Sequence, residues 1–248
     1  MKAMIFAAGL GTRLRPFTLD RPKALVPLYG VPMLERVIRK IAGAGITDIT
    51  VNVHHFAPLI EEFLISNGNF GLNISVSRET ERLLDTGGGL LAAKPLLEKS
   101  GSKEPILLHN ADIFTDFPLE EMMEAHNRSG ADVTLLCAKR VSSRTLYFQE
   151  NRLTGWQNLK TGETRPEDFE VSPLMDSTPF GGVHIVNPSV FPLLEEYSGG
   201  SGEPFSIIPF YLANLGRLDI RRFMLPDSCR WFDVGSSEKL AAAEATFQ

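Results

Sequence analysis

The first 27 residues hold a compact set of groups suited to gripping phosphate. An apolar run, Met4-Ile5-Phe6-Ala7-Ala8, opens into Gly9-Leu10-Gly11-Thr12-Arg13-Leu14-Arg15-Pro16, and Lys23 follows between Pro22 and Pro27. A strand that ends in glycines lets backbone N–H groups approach an anion with no Cβ in the way. Arg13, Arg15 and Lys23 add fixed positive charge, the arginines as planar forks and the lysine as a point charge, and both shapes suit phosphate oxygens. Such a set can hold a polyphosphate. Arg15 serves equally well in a structural ion pair.

Two aspartates form a second set. Asp112 ends the run Leu107-Leu108-His109-Asn110-Ala111-Asp112, and Asp233 sits within Trp231-Phe232-Asp233-Val234-Gly235. A carboxylate inside an apolar strand is costly unless it is paired or metal-bound. Two aspartates from distant strands can share one Mg²⁺, with waters and phosphate oxygens completing an octahedron. The structural alternatives are a turn or capping aspartate at 112 and a backbone-satisfied aspartate at 233; Asp116 is the better placed cap for the helix expected after Pro118. A third feature is Gly87-Gly88-Gly89, downstream of Glu79 and Glu81. Three glycines ahead of a helical run allow a flat base to approach the backbone, or simply mark a helix start.

Other chemistries are excluded. A dinucleotide fingerprint needs a third glycine where Leu14 stands, and an acid at the end of strand two, where the chain reads Val53-His54-His55. Adjacent His54 and His55 point to opposite faces of a strand. His109 and His184 lie in apolar strands and are expected as core histidines with satisfied rings. Cys137 and Cys229 cannot build a disulfide framework or a cysteine zinc cluster, which suits a reducing cytoplasm. A net charge of −5 argues against nucleic-acid binding. No apolar stretch approaches the ~20 residues that cross a bilayer, and Ala3–Ala8 is too short for a signal peptide.

These groups need elements to carry them. Strands are expected at Met4–Ala7, Asp48–Val53, Asn73–Val76, Pro105–His109 and Asp132–Ala138. They alternate with helices at Pro32–Gly43, Leu59–Asn67, Gly88–Leu97 (breaking near Pro95) and Leu119–Asn127. That alternation implies an α/β fold: a three-layer sandwich with a Rossmann-like, mostly parallel mixed sheet. Ligands of such sheets bind beyond the carboxyl ends of the strands, where Gly9–Arg15 and Asn110–Asp112 fall. Residues 139–178 change character. A hairpin around Tyr147–Trp156 and a polar, turn-rich stretch suggest an insertion lying over the sheet, within one domain spanning 1–248. Strands at 182–186, 218–224 and 231–234 follow, with helices at 203–215 and 236–246, the last capped by Ser236 or Ser237.

The run Phe6–Pro16, with Pro22-Lys23-Ala24-Leu25-Val26-Pro27, resembles the signature of sugar-1-phosphate nucleotidyltransferases. Asp85-Thr86-Gly87-Gly88-Gly89, Asn110-Ala111-Asp112, Phe180-Gly181-Gly182-Val183 and Trp231-Phe232-Asp233-Val234-Gly235 resemble later family motifs, in the family's order. The resemblance implies a GT-A-like nucleotidyltransferase that joins a nucleoside triphosphate to a sugar 1-phosphate and releases pyrophosphate. It implies Arg13, Lys23, Asp112 and Asp233 as catalytic residues and Mg²⁺ on Asp112 and Asp233. Nucleotide contacts fall to Ala8, Gly9, Gly11, Thr12, Arg13, Glu79, Gly87 and Gly88, and sugar contacts to Asn110, Asn158 and Gly182. Ala111 stands where family members usually carry glycine. A Glu-Lys-Pro segment that many members use on the sugar phosphate is replaced by Trp156-Gln157-Asn158, which leaves Lys23 to meet both phosphates. The motifs are most similar to N-acetylmuramate-1-phosphate uridylyltransferases, with mannose-1-phosphate guanylyltransferases next. Uridine is the favoured base, in a cytoplasmic monomer or homodimer with no nucleic-acid or membrane partner. A catalytically silent nucleotide-sugar-binding regulator is the alternative of another class.

Overall fold

The computed structural model describes residues 1–246, apart from the side chain of Ser100. Residues 247 and 248 of the expected 1–248 unit lie outside that range. The chain begins with β1 (Lys2–Phe6), a short ribbon of β2 (Pro27–Leu28) and β3 (Val31–Pro32), and α1 (Met33–Gly43). Then come β4 (Asp48–Val53), α2 (Ala57–Ser66), β5 (Asn73–Arg78), α3 (Asp85–Leu97), β6 (Ile106–Asn110), β7 (Ile113–Thr115), α4 (Leu119–Ser129) and β8 (Val133–Cys137). The later part holds β9 (Arg144–Gln149), β10 (Arg152–Asn158), β11 (Thr164–Arg165), β12 (Asp176–Thr178) and β13 (Phe180–Val186). It closes with α5 (Phe191–Ser198), α6 (Ile207–Ala213), β14 (Ile220–Met224), β15 (Trp231–Asp233) and α7 (Ser237–Thr246).

The main sheet runs β12-β9-β10-β14-β8-β13-β6-β1-β4-β5, with β11 beside β10. From β5 to β14 every strand points the same way except β13, which is antiparallel to both β6 and β8. Alternating side chains of β1 show why helices cover both faces. Ala3 and Ile5 join a core with Val37 and Ile41 of α1, Ile60 of α2 and Leu240 of α7. Met4 points into a second core with Leu90 of α3, Phe191 of α5 and Phe210 of α6. The expected three-layer α/β sandwich is therefore the observed one.

Several boundaries differ for local reasons. The glycine triplet lies inside the first turn of α3, and Pro95 is accommodated in its last turns without ending it. Gly87 and Gly88 donate their N–H groups to the Phe205 carbonyl at 2.9 and 3.2 Å, which satisfies two of the orphan donors of a helix start. The 203–206 segment is occupied by that contact, so α6 begins only at Ile207, whose N–H meets Thr86 Oγ1 at 3.0 Å. The helix α5 was not anticipated; Pro192 in its first turn and the left-handed Gly199 at its end mark it clearly. Residues 139–178 in large part prolong the sheet, through β9, β10 and β12 at the edge beyond β14, and only the stretch between β11 and β12 lies against it, where Phe169 covers Gly155. Their hairpin turns on Glu150 and Asn151, both at positive φ, the geometry of a two-residue turn that matches strand twist. The Ser236 hydroxyl accepts from the Lys239 N–H at 3.4 Å and caps α7. Asp116 caps nothing; its carboxylate takes the Arg230 backbone N–H and Nε at 2.7 and 2.8 Å.

Candidate active site

β1 and β6 are parallel neighbours with Phe6 opposite Asn110. Their continuations leave the sheet at the same edge, held by Ala7 N–H to Asn52 O at 2.9 Å and Ala111 N–H to Phe6 O at 3.1 Å. A cleft of about 500 Å³ lies there, lined by Ala8, Gly9, Lys23, Glu79, Asn110 and Asp112 among the expected residues, with Asn52 and Asp85 added. A second hollow of about 900 Å³ shares Asp85 and carries Arg13, Arg140, Trp156 and Asn158. Asp112 lines the first hollow, and Asp85 lines both.

The glycines divide by role. A Cβ on Gly9 would meet nothing within 4 Å, so this glycine borders open cleft. Gly11 has φ +65, and its Cβ would lie 2.9 Å from Lys23 Cβ; here glycine lets the lysine segment pack under the loop. Thr18 Oγ1 donates to Gly11 O at 2.8 Å and fixes that turn. Thr12 and Arg13 follow in a short exposed turn. Gly87 and Gly88 do not reach the cleft. A Cβ on Gly87 would strike the Phe205 ring and come within 2.9 Å of its carbonyl, so a direct base contact by these two glycines is corrected to packing on Phe205. Gly89 instead makes room for the polar pair behind the base side, since its Cβ would lie 2.8 Å from Glu79 Oε1. Asn52 Nδ2 donates to Glu79 Oε1 at 2.9 Å, and the Leu84 N–H meets Glu79 Oε2 at 2.7 Å. Glu79, and not Glu81, is thus the buried acid at the cleft. Asn52 was missed; its signal was an amide between Val51 and Val53.

The two aspartates come together through a separate ribbon. β15 pairs with β7, not with the main sheet, placing Asp233 opposite Ile113. The Val234 N–H also donates to Asp112 O at 2.9 Å. Lys23 pairs with the Asp112 carboxylate, and Lys239 of α7 pairs with Asp233. Both carboxylates keep some exposure, with side chains 21% and 22% exposed, and Asp112 lines the cleft. No described cluster holds three or more His, Cys, Asp or Glu. Two hard oxygen donors facing solvent fit a Mg²⁺ that keeps waters and substrate oxygens. A Cβ on Gly235 would sit 2.7 Å from Asp233 Oδ1 and 3.3 Å from Arg13 Nη2. Glycine there keeps Arg13 beside the acid pair. Ala111 has none of the left-handed geometry that demands glycine, so its methyl strains nothing.

Beside Asn110, strand register shifts between Phe180 and His184, so Gly181-Gly182 form a bulge. Gly182 has φ +78, and its Cβ would lie 3.2 Å from Asn110 Nδ2, so the bulge also clears space beside Asn110. Asn158 faces the larger hollow, while its side-chain oxygen accepts the Lys160 N–H at 3.1 Å. The histidines depart from expectation. Among the described residues neither His184 ring nitrogen has a partner, and His109 Nε2 has none either, although His109 Nδ1 lies 2.8 Å from Asn110 O. Burial pushes His109 down to about 4 and His184 to about 3, so both stand neutral at pH 7.

Fold and site together define a phosphate-handling α/β transferase. Over residues 2–248 the chain matches the Nucleotidyl transferase family, and it belongs to that family. It is 34% identical over 253 residues to an N-acetylmuramate alpha-1-phosphate uridylyltransferase of Caulobacter vibrioides, covering 98% of this chain and 95% of the relative. It is 40% identical over 140 residues to a mannose-1-phosphate guanyltransferase of Gibberella zeae, covering 56% of this chain but only 38% of that longer protein. Among solved structures, a putative glucose-1-phosphate thymidylyltransferase from Bacillus anthracis superposes with TM-score 0.78 at 18% identity, covering 99% of this chain and 94% of that one. That likeness extends the fold alone. No described helix is long and apolar enough to cross a membrane.

Proposed function

We propose that the protein is a sugar-1-phosphate nucleotidyltransferase, with UTP and N-acetylmuramate 1-phosphate as the preferred pair. The observation that carries the reaction class is the clustering of four groups: Lys23 paired with Asp112, Asp233 on the strand bonded to the segment after Asp112, and Arg13 beside Gly235 and Asp233. An oxygen of the sugar 1-phosphate attacks the α-phosphorus in line; its new P–O bond replaces the bond to the β-phosphate, and pyrophosphate leaves with the electron pair. A phosphate monoester's second pKa is about 6, so the nucleophile is already an anion and no base need take a proton. The work falls to positioning and charge neutralisation. Asp112 holds the Lys23 ammonium at the cleft, where it meets the phosphates. Arg13 stands beside Asp233 to bind the phosphate chain. Asp112 and Asp233 would hold Mg²⁺, which supplies charge neutralisation to the phosphate oxygens.

The uridylyl preference is supported by the full-length match to the uridylyltransferase, against partial matches to guanyltransferases. Guanylyl transfer to mannose 1-phosphate is the second reading, supported by the higher identity of one such match. A silent nucleotide-sugar-binding regulator is disfavoured because Arg13, Lys23 and both aspartates are all present and assembled. The test is pyrophosphate release from four nucleoside triphosphates against several sugar 1-phosphates, with and without Mg²⁺. UTP with N-acetylmuramate 1-phosphate is expected to dominate. A preference for GTP with mannose 1-phosphate overturns the substrate choice, and silence across the matrix overturns the reaction.

A further inference from the structure

Arg140 occupies an unusual place. It follows β8, and its Nη2 donates to Phe180 O at 3.0 Å. Its guanidinium lies 4.8 Å from the centroid of the Trp231 ring. Trp231 is itself fixed by Nε1 donating to Gly181 O at 2.8 Å. The guanidinium is therefore anchored on an aromatic face and one carbonyl, on the wall joining the bulge at Gly181-Gly182 to the strand that carries Asp233. It faces the larger hollow.

What the anchoring leaves undone is the informative part. Arginine carries five N–H donors and is charged at every working pH. Arg140 Nε is turned into the protein, Nη2 bonds only Phe180 O, and Nη1 has no partner among the described residues; no described carboxylate forms an ion pair with Arg140. Burial weighs against its charge, and only the field of Asp233 opposes that. A buried charged donor left unpaired is expensive. Arg144 and Lys160 line the same hollow but are exposed, where water screens them. This guanidinium is held in place by Trp231 and Phe180 O, with its Nη1/Nη2 end left to face the hollow.

We propose that Arg140 binds the phosphate of the incoming sugar 1-phosphate. The assignment rests on the nucleotidyl-transfer reading. That phosphate must lie within reach of the aspartate pair while its sugar fills the larger hollow, and Arg140 lines that hollow stacked on Trp231, two residues from Asp233 on β15. A guanidinium fork suits a phosphate dianion, which it can bridge with two parallel N–H···O bonds. The hairpin offers no lysine or arginine at Trp156-Gln157-Asn158, and Lys23 lines the smaller cleft and not the larger hollow. Arg140 then supplies the sugar-side cation from a different strand, leaving Lys23 to the nucleotide's α-phosphate.

The experiment compares Arg140→Met and Arg140→Lys with the unaltered protein, using whichever of UTP with N-acetylmuramate 1-phosphate or GTP with mannose 1-phosphate turns over. The expected result for Arg140→Met is a rise in KM for the sugar 1-phosphate of about 10- to 100-fold, the size of a lost charged hydrogen bond. KM for the nucleotide should change by less than about threefold. Arg140→Lys keeps the charge without the fork and should fall between. Lys139→Met removes a neighbouring charge that pairs with Asp227 on the surface, and should leave both KM values unchanged. Equal rises for both substrates, or an unchanged sugar-phosphate KM in either Arg140 variant, overturn the assignment while the reaction stands. No pyrophosphate release by the unaltered protein overturns the reaction, and the assignment with it.

Discussion

The two halves of the site are built by different means. On the nucleotide side, β5, β4, β1 and β6 run parallel, and ligand-facing groups emerge from consecutive residues at strand ends. Around the larger hollow, β9, β10, β12 and β13 are antiparallel to their neighbours, and the hollow is assembled from side chains of distant segments: Arg140, Asn158 and Ile208. The first design commits the backbone and tolerates little change. The second leaves substrate choice to replaceable side chains on a hairpin at the sheet edge, which suits a family that varies its sugar.

The largest break in that contrast is expected at Lys23. Lys23→Met removes the ammonium that Asp112 holds at the cleft, and kcat/KM should fall by about 10²–10³-fold, the scale of one lost electrostatic group at a reaction centre. Steady-state pyrophosphate release checks it. The loss should appear mainly in kcat, whereas Arg140 variants on the other side act through KM.

A second expectation concerns the two histidines between these halves. His109 and His184 sit on adjacent strands β6 and β13, with folded pKa values of about 4 and about 3 against the ordinary 6.5. The unfolded chain takes up protons more readily, so their contribution is full above pH 6.5 and is lost as pH falls through that value toward 4 and 3. Each should cost about 2 kcal/mol of stability by pH 5. Urea melts from pH 8 to 5 should show a plateau and then a fall, which His184→Phe makes shallower. An equally steep fall in that variant would remove His184 from the account.

Smaller effects separate two glycines, one in each half. Both are covered by a phenylalanine ring, Gly87 by Phe205 and Gly155 by Phe169. Gly87 also faces the Phe205 carbonyl, which a side-chain rotation cannot move. Gly87→Ala should therefore cost about 1–3 kcal/mol and raise the KM for nucleotide, because α3 borders the cleft through Asp85 and Thr86. Phe169 is only partly buried and can swing aside, so Gly155→Ala should cost less than about 1 kcal/mol. Chemical denaturation measures both, and equal losses would contradict the contrast.

The same contrast explains what was legible in the sequence. The helix–strand alternation and the stretches bordering the cleft were readable because a parallel half writes its strand-end groups into short stretches: Gly9 to Lys23, and Asn110 to Asp112. The aspartate pair was readable because an acid among Trp231, Phe232 and Val234 is out of place. Gly87 and Gly88 misled, since a glycine needed for a neighbouring Phe205 looks the same in sequence as one needed for a base. Lys239 and Arg140 were invisible; ordinary cations gain meaning only when folding sets them against Asp233 and Trp231. The ring nitrogens of His184 were expected to be satisfied, yet no polar group from the packed helices reaches them.

The central claim is that Asp112 and Asp233 act as one divalent-cation site in nucleotidyl transfer. The most direct test is to measure pyrophosphate release across a Mg²⁺ titration for the unaltered protein, Asp112→Asn and Asp233→Asn. The account predicts Mg²⁺-dependent release by the unaltered protein and a loss of at least about 10²-fold in each variant at every Mg²⁺ concentration. Release that persists without divalent cation, or either variant working at the unaltered rate, would contradict it.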